Sequence, residues 1–155
     1  MKLHIDEDRI EKQIELKAPR ARVWRALTDH REFSEWFGVN LESPFVAGQT
    51  TAGQITVPNY EHVRMEVVVQ RIEPEKLFSF TWHPYAVESD VDYAQEPPTL
   101  VEFTLEEIAD GTLLKVVESG FNRIPASRRA EAFRMNDRGW AQQMSDIKSH
   151  VEQTS

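Results

Sequence analysis

Residues 126–151 read ASRRAEAFRMNDRGWAQQMSDIKSHV, a run without proline and with a single glycine. At the 100° per residue of an α-helix, Phe133, Trp140, Met144, Ile147 and Val151 fall in one narrow apolar stripe. A helix this long with one greasy side needs a surface to cover. Gly139 within it costs about 1 kcal/mol relative to alanine. A close backbone, or room for a ligand, would explain keeping it.

Upstream of this helix the texture is β. Gln49 to Val57 and His62 to Ile72 are expected strands, joined through the turn residues Pro58-Asn59-Tyr60. Leu77 to His83 places Phe78, Phe80 and Trp82 on one face by strict alternation, and Thr99 to Ile108 does the same with Val101, Phe103 and Leu105. Asp110-Gly111 marks a hairpin into Thr112 to Ser119, where alternation with Leu114 and Val116 turns Glu118 inward. At the other end, Arg9 to Lys17 alternates as a strand. Pro19 suits the first turn of a short helix carrying Val23, Trp24 and Leu27. Asp29 with Glu32 resembles a capping box opening a second helix, with Phe33, Trp36 and Phe37 apolar and Gly38 as its stop.

The order is strand, two short helices, a run of strands, then one long helix. Without repeated β–α alternation a doubly wound parallel sheet is excluded. The expected fold is α+β: one curved antiparallel sheet wrapped around the C-terminal helix. Residues 9–153 form a single domain in this reading, preceded by an extension over 1–8.

The 155 residues carry a formal net charge of −8 and no cysteine. A negative surface repels phosphate backbones, so nucleic acid is not an expected partner. The absence of cysteine removes disulfides, thiol nucleophiles and zinc–thiolate sites, and suits a cytoplasmic protein. The N-terminal residues have no apolar core and no segment has the length of a membrane span.

The run Val23-Trp24-Arg25-Ala26-Leu27-Thr28-Asp29, followed by Trp36-Phe37-Gly38, resembles the opening of AHSA-type domains, which are named for activators of the heat-shock-protein-ninety ATPase. Arg71 to Leu77, Phe80-Thr81-Trp82, Gly111-Thr112, Glu118-Ser119-Gly120-Phe121 and Gly139-Trp140 continue the resemblance in order, from Ile10 to Val151. It implies the START-like helix-grip fold, also found in Bet v-like proteins and throughout the SRPBCC superfamily. That superfamily includes lipid and hormone binders and polyketide cyclases, so the resemblance does not carry one function with it. A chaperone partner is not expected, since the chain has no room for the extra N-terminal domain that such activators carry.

Several catalytic patterns are absent. Gly48-Gln49-Thr50-Thr51-Ala52-Gly53 has the glycine spacing of a phosphate loop without its lysine, and reads as a hairpin turn. His4, His30, His62, His83 and His150 show no i, i+4 pair and no HExxH, so neither a metal nor another cofactor is expected. There is no GxSxG elbow.

What remains is a set of large side chains on inward faces: Trp36, Phe37, Phe78, Phe80, Trp82, Phe103, Phe133 and Trp140, with Met144 beside them. They either fill the core or, in part, line a cavity between sheet and helix. Glu118 and Asn136 would orient a ligand there, unless Glu118 is an ordinary buried partner of a lysine or arginine. Asn136 and Asp137 flank the helix stripe. The acidic stretch Pro84 to Pro98 is long for a structureless loop. His83 and Tyr85 at its start, with Asp92-Tyr93 later, belong to a cavity mouth or fold back on the sheet edge.

The leading expectation is binding of a small, largely apolar molecule, of lipid, polyketide or aromatic type, by Trp36, Phe78, Phe80, Trp82, His83, Tyr85, Phe103, Glu118, Phe133, Asn136, Trp140 and Met144. The alternatives are a cyclase- or hydrolase-like enzyme with Glu118, His83 or Asp137 as acid or base, and a stress- or chaperone-related interaction domain. An exposed strand edge leaves room for a homodimer.

Overall fold

The computed structural model describes residues 8–88 and 91–153. Seven strands make one antiparallel sheet: β1 (Arg9–Leu16), β2 (Val39–Leu41), β3 (Thr50–Ile55), β4 (Arg64–Glu73), β5 (Leu77–Trp82), β6 (Thr99–Ile108) and β7 (Gly111–Ser119). Their order is β1-β7-β6-β5-β4-β3-β2, so the first strand returns beside the last and β2 forms the far edge. Helices α1 (Arg20–Thr28) and α2 (His30–Phe37) cross from β1 to β2, and α3 (Ala126–Gln153) lies against β1, α1 and α2. This is the helix-grip arrangement.

Local chemistry sets the joints. Pro19 stands one position before α1, where its carbonyl accepts from the Arg22 and Val23 amides at 3.0 and 3.2 Å. Asp29 serves two helices at once. Its amide donates to the Arg25 carbonyl at 2.9 Å, while its carboxylate accepts from the Arg31 and Glu32 amides at 2.9 and 3.3 Å. The expected capping box is only half made, because the Glu32 side chain is drawn elsewhere. It accepts from Arg22 at 2.8 Å and Arg25 at 2.6 Å, and meets His150 of α3 at 2.9 Å. Burial raises the Glu32 pKa, but these three partners outweigh it and hold the carboxyl below its ordinary value. Gly38 closes α2 at φ +89°, the left-handed geometry that glycine alone adopts cheaply.

One expectation is corrected. Gly48–Gly53 is not one turn: residues 47 and 48 turn, and Gly53 lies inside β3. A Cβ on Gly53 would sit 2.1 Å from the Asn40 carbonyl oxygen, so a side chain there would part β2 from β3. The short β2 itself shows no period in the sequence. The Asp8 carbonyl accepts from the Gly120 and Phe121 amides at 3.0 and 3.2 Å; residues 1–7 lie outside the described residues.

The core is a continuous aromatic array. Phe33 stacks on Phe37 at 4.8 Å and meets Phe45 edge-on at 5.4 Å. Phe45 leads to Phe78, Phe78 to Phe103, and Phe103 to Trp140 at 4.9, 6.2 and 5.6 Å. Phe78, Phe80 and Phe103 are fully buried. Rings at these spacings gain from edge-to-face geometry beyond the area they bury.

Candidate functional site

Directly beneath α3 the interior is filled. Of the residues expected to line a cavity there, Phe78, Phe80, Phe103, Trp140 and Met144 are buried core. Trp36 is buried between the short helices and donates its indole N–H to the Ala26 carbonyl at 2.8 Å. Phe133 is half-buried against Phe121 at 5.2 Å. These rings are large enough to close the space under the helix axis, which is why the cavity lies to one side.

That cavity is a cleft of about 690 Å³ between the ends of β3 to β5, the loop after β5 and one flank of α3. Ile55, Met65, Phe37 and Trp82 form its inner wall. Val57, Tyr60, Tyr85 and Val87 form the loop side, and Met135, Asn136 and Gln143 the helix side. Four of the expected ligand-binding residues meet here, Trp82, His83, Tyr85 and Asn136, with Phe37, Asp92 and Tyr93 of the sequence reading beside them. The Tyr85 hydroxyl is pushed to a higher pKa by burial, with Tyr60, Glu131 and Glu88 adding to it, so it keeps its proton at neutral pH.

The loop that walls the cleft is fastened to α3 by Arg128. Its guanidinium binds the Glu96 carboxylate at 2.6 Å, donates to the Pro84 and Tyr85 carbonyls at 2.9 and 3.2 Å, and lies 4.7 Å above the Tyr93 ring. His83 donates from Nε2 to the Glu96 carbonyl at 3.0 Å. Arg128 reads in the sequence as one more cation on a polar helix face; only a loop returning to it reveals its role.

Glu118 lies just behind the cleft wall and is fully buried. It is not paired with a lysine or arginine, as the ordinary reading held. Instead four neutral groups donate to it. Trp82 Nε1 and Thr99 Oγ1 reach Oε2 at 2.7 and 2.5 Å, and Asn136 Nδ2 and Trp140 Nε1 reach Oε1 at 2.9 and 2.8 Å. Burial pushes the Glu118 pKa up, against the opposing pull of those four hydrogen bonds. The group therefore ties β5, β6, β7 and α3 together, and through Trp82 and Asn136 it orients two residues of the cleft.

Asp137 faces away from all of this. It pairs with Lys12 of β1 at 3.0 Å and is about half exposed, because it stands on the opposite flank of the α3 stripe from Asn136. Residues of the cleft that the sequence reading missed include Ile55, Met65, Tyr60 and Gln143. Gln143 carried a signal: it is seven residues, two helical turns, from Asn136 and so shares its flank.

Among the described residues, no three of histidine, aspartate and glutamate gather closely enough to hold a metal ion. No helix among them is long and apolar enough to cross a membrane.

Residues 17–152 match the family model described as activator of Hsp90 ATPase homolog 1-like protein. The chain belongs to the AHSA1 family. Among solved structures similar to this AHSA1 domain is DynU16, a protein in the dynemicin biosynthetic locus, 26% identical with a TM-score of 0.72 over 94% of this chain. The alignment covers 47% of DynU16, so the chain spans about half of its length. MLL2253 from Mesorhizobium loti is 22% identical with a TM-score of 0.75, over 95% of this chain and 98% of its own. The Aha1 dimer from Colwellia psychrerythraea, solved in solution, is 16% identical with a TM-score of 0.69, over 93% and 96%. At those identities the last two share the fold alone. No curated protein sequence matches the chain.

Proposed function

We propose that this AHSA1 domain binds a small, largely apolar molecule in the cleft between β3 to β5, the loop after β5 and α3. One observation carries the reading: in a domain whose core is otherwise filled with aromatic rings, about 690 Å³ stays open behind a wall of Ile55, Val57, Met65, Phe37 and Trp82. That volume falls within the range of small-molecule sites, as does the mix of apolar wall and few polar groups. A relative from a biosynthetic locus accords with a small-molecule role. A cysteine-free chain suits the cytoplasm as its compartment.

The same geometry weighs binding above catalysis. Glu118 is buried with both oxygens engaged, and Asp137 lies outside the cleft in its pair with Lys12. His83 alone of the three expected acids and bases reaches the cleft, and its Nε2 is committed to Glu96.

Titration with Nile red, whose emission rises on entering an apolar site, tests the proposal. Saturable one-to-one binding is expected. Ala86→Trp and Val57→Trp each place bulk in the cleft without touching the core, and each is expected to weaken binding at least about tenfold, the effect of a lost apolar contact or a blocked volume. Circular dichroism confirms that the variants fold. Unsaturable binding, or affinity unchanged in both folded variants, removes the cleft as the site.

A further inference from the structure

Gln143 Oε1 is buried and has no hydrogen-bond partner among the described residues. Its amide is not loosely placed, because Nε2 donates to the Phe37 carbonyl at 2.8 Å. Turning the amide over would set two oxygens against each other, so that bond fixes the orientation. Buried acceptors are nearly always paired in folded proteins, and an orphan calls for something that completes it.

Gln143, which carries the orphan, is one of the residues that line the cleft. Asn136 stands on the same flank of α3, about 10 Å along the axis, and is held in the same manner, with Nδ2 donating to Glu118 Oε1 at 2.9 Å. Both amides are thus anchored through nitrogen to the protein interior. Acidic groups Glu66, Glu88 and Asp92 also border the cleft, while the Arg64 guanidinium there is engaged by Glu42 at 2.6 Å. An incoming carboxylate would meet negative charge and an acceptor. An incoming O–H or N–H would meet an acceptor that lacks a donor.

We infer that the cleft selects apolar, aromatic-sized molecules carrying a neutral or cationic hydrogen-bond donor, a hydroxyl or an amine, which Gln143 Oε1 accepts, and that it disfavours carboxylates. This rests on the cleft being the binding site. Oε1 itself has almost no exposed surface, so a donor in the cleft reaches it through the side-chain adjustment that commonly accompanies binding.

Three matched probes test the inference by calorimetry at pH 7: 2-naphthol, 2-methoxynaphthalene and 2-naphthoate. The wild-type protein is expected to bind 2-naphthol about tenfold more tightly than the methyl ether, which keeps the shape and loses the donor. It is expected to bind 2-naphthoate most weakly. Gln143→Met, of similar size and without the acceptor, is expected to bring 2-naphthol to the level of the ether and to leave the ether unchanged. Equal affinities for naphthol and ether in the wild type, or tightest binding of the naphthoate, overturn the donor assignment while the cleft stands. Failure of all three probes together with Nile red overturns the cleft reading, and this inference with it. The wild-type comparison tests the donor preference even where Gln143→Met does not fold, and naphthol affinity unchanged in a folded Gln143→Met overturns Gln143 as the acceptor.

Discussion

Each oxygen of Glu118 carries one indole N–H, from Trp82 on Oε2 and from Trp140 on Oε1. An indole only donates, so neither oxygen can be replaced by an NH₂ group without setting two donors face to face. The second partners are more tolerant: Thr99 can accept through its hydroxyl, and Asn136 through its own oxygen after an amide turn. A protonated Glu118 is therefore accommodated, donating to one of them while still accepting from both indoles. Glutamine is not. Glu118→Gln is expected to destabilise the fold by about 1–3 kcal/mol, the cost of one buried unpaired donor. The pH dependence follows from burial having raised the Glu118 pKa in the folded state. A raised folded pKa means that the contribution is fully present below the unfolded carboxyl's pKa and is lost as pH rises through the folded value. The gap between wild type and Glu118→Gln should thus narrow from pH 5 to pH 8 in urea unfolding. A gap that widens with pH would mean that the four donors hold the anion in preference to the acid. Inward placement of Glu118 was legible from its alternation with Leu114 and Val116. Its partners were not, because Trp82, Thr99 and Asn136 come from three elements whose mutual approach no local pattern encodes.

Elements with a full period declared themselves in the sequence, and those without one did not. The span Thr99–Ile108 is β6 to the residue, its alternation running unbroken from Thr99 to Glu106. The three-residue β2 offers too few positions to show alternation. Helix α3 was equally readable from its stripe, yet the glycine inside it misled. Gly139 is exposed, and a Cβ added there would meet nothing within 4 Å. No close backbone lies beneath it, and it borders neither hollow of the domain. The residue is a plain helix-propensity defect on the solvent side of a 28-residue helix. Gly139→Ala is therefore expected to stabilise by about 1 kcal/mol, raising the melting temperature by about 2–4 °C for a domain of this size. The gain arises from restricting the unfolded chain as well as from the helix itself. Calorimetric melting of the purified variant reads it directly. A drop in melting temperature would show that this face of α3 is covered in solution, by a second copy or another partner.

At the scale of the molecule, the sheet is closed on one side and open on the other. Under α3 the rings of α2, β5 and β6 fill the interior; beside β3 and β4 the cleft stays open, bordered by the loop after β5. Alternation identifies inward side chains but does not decide which of them fill space and which line it. That depends on how far the sheet coils, and on a loop held by the Arg128 clamp together with the His83–Glu96 and His62–Val87 bonds. Hydrogen exchange tests this division. The β6–β7 pairing is covered on both sides by its neighbours and should exchange near the global unfolding limit. The loop from His83, fastened mainly at its ends, should exchange faster. Saturating 2-naphthol should then slow exchange at 55–66, 83–88 and 135–143 by shifting the local opening equilibrium. A second hollow of about 500 Å³ at the opposite end, beside Pro19 and Gly111, supplies the internal control. Its borders include Lys17, Arg20, Glu75, Glu107 and Asp110, a setting suited to water rather than to an apolar ring. Protection appearing at 17–21 and 107–111 instead would move the binding site to that end and strip the cleft of its role.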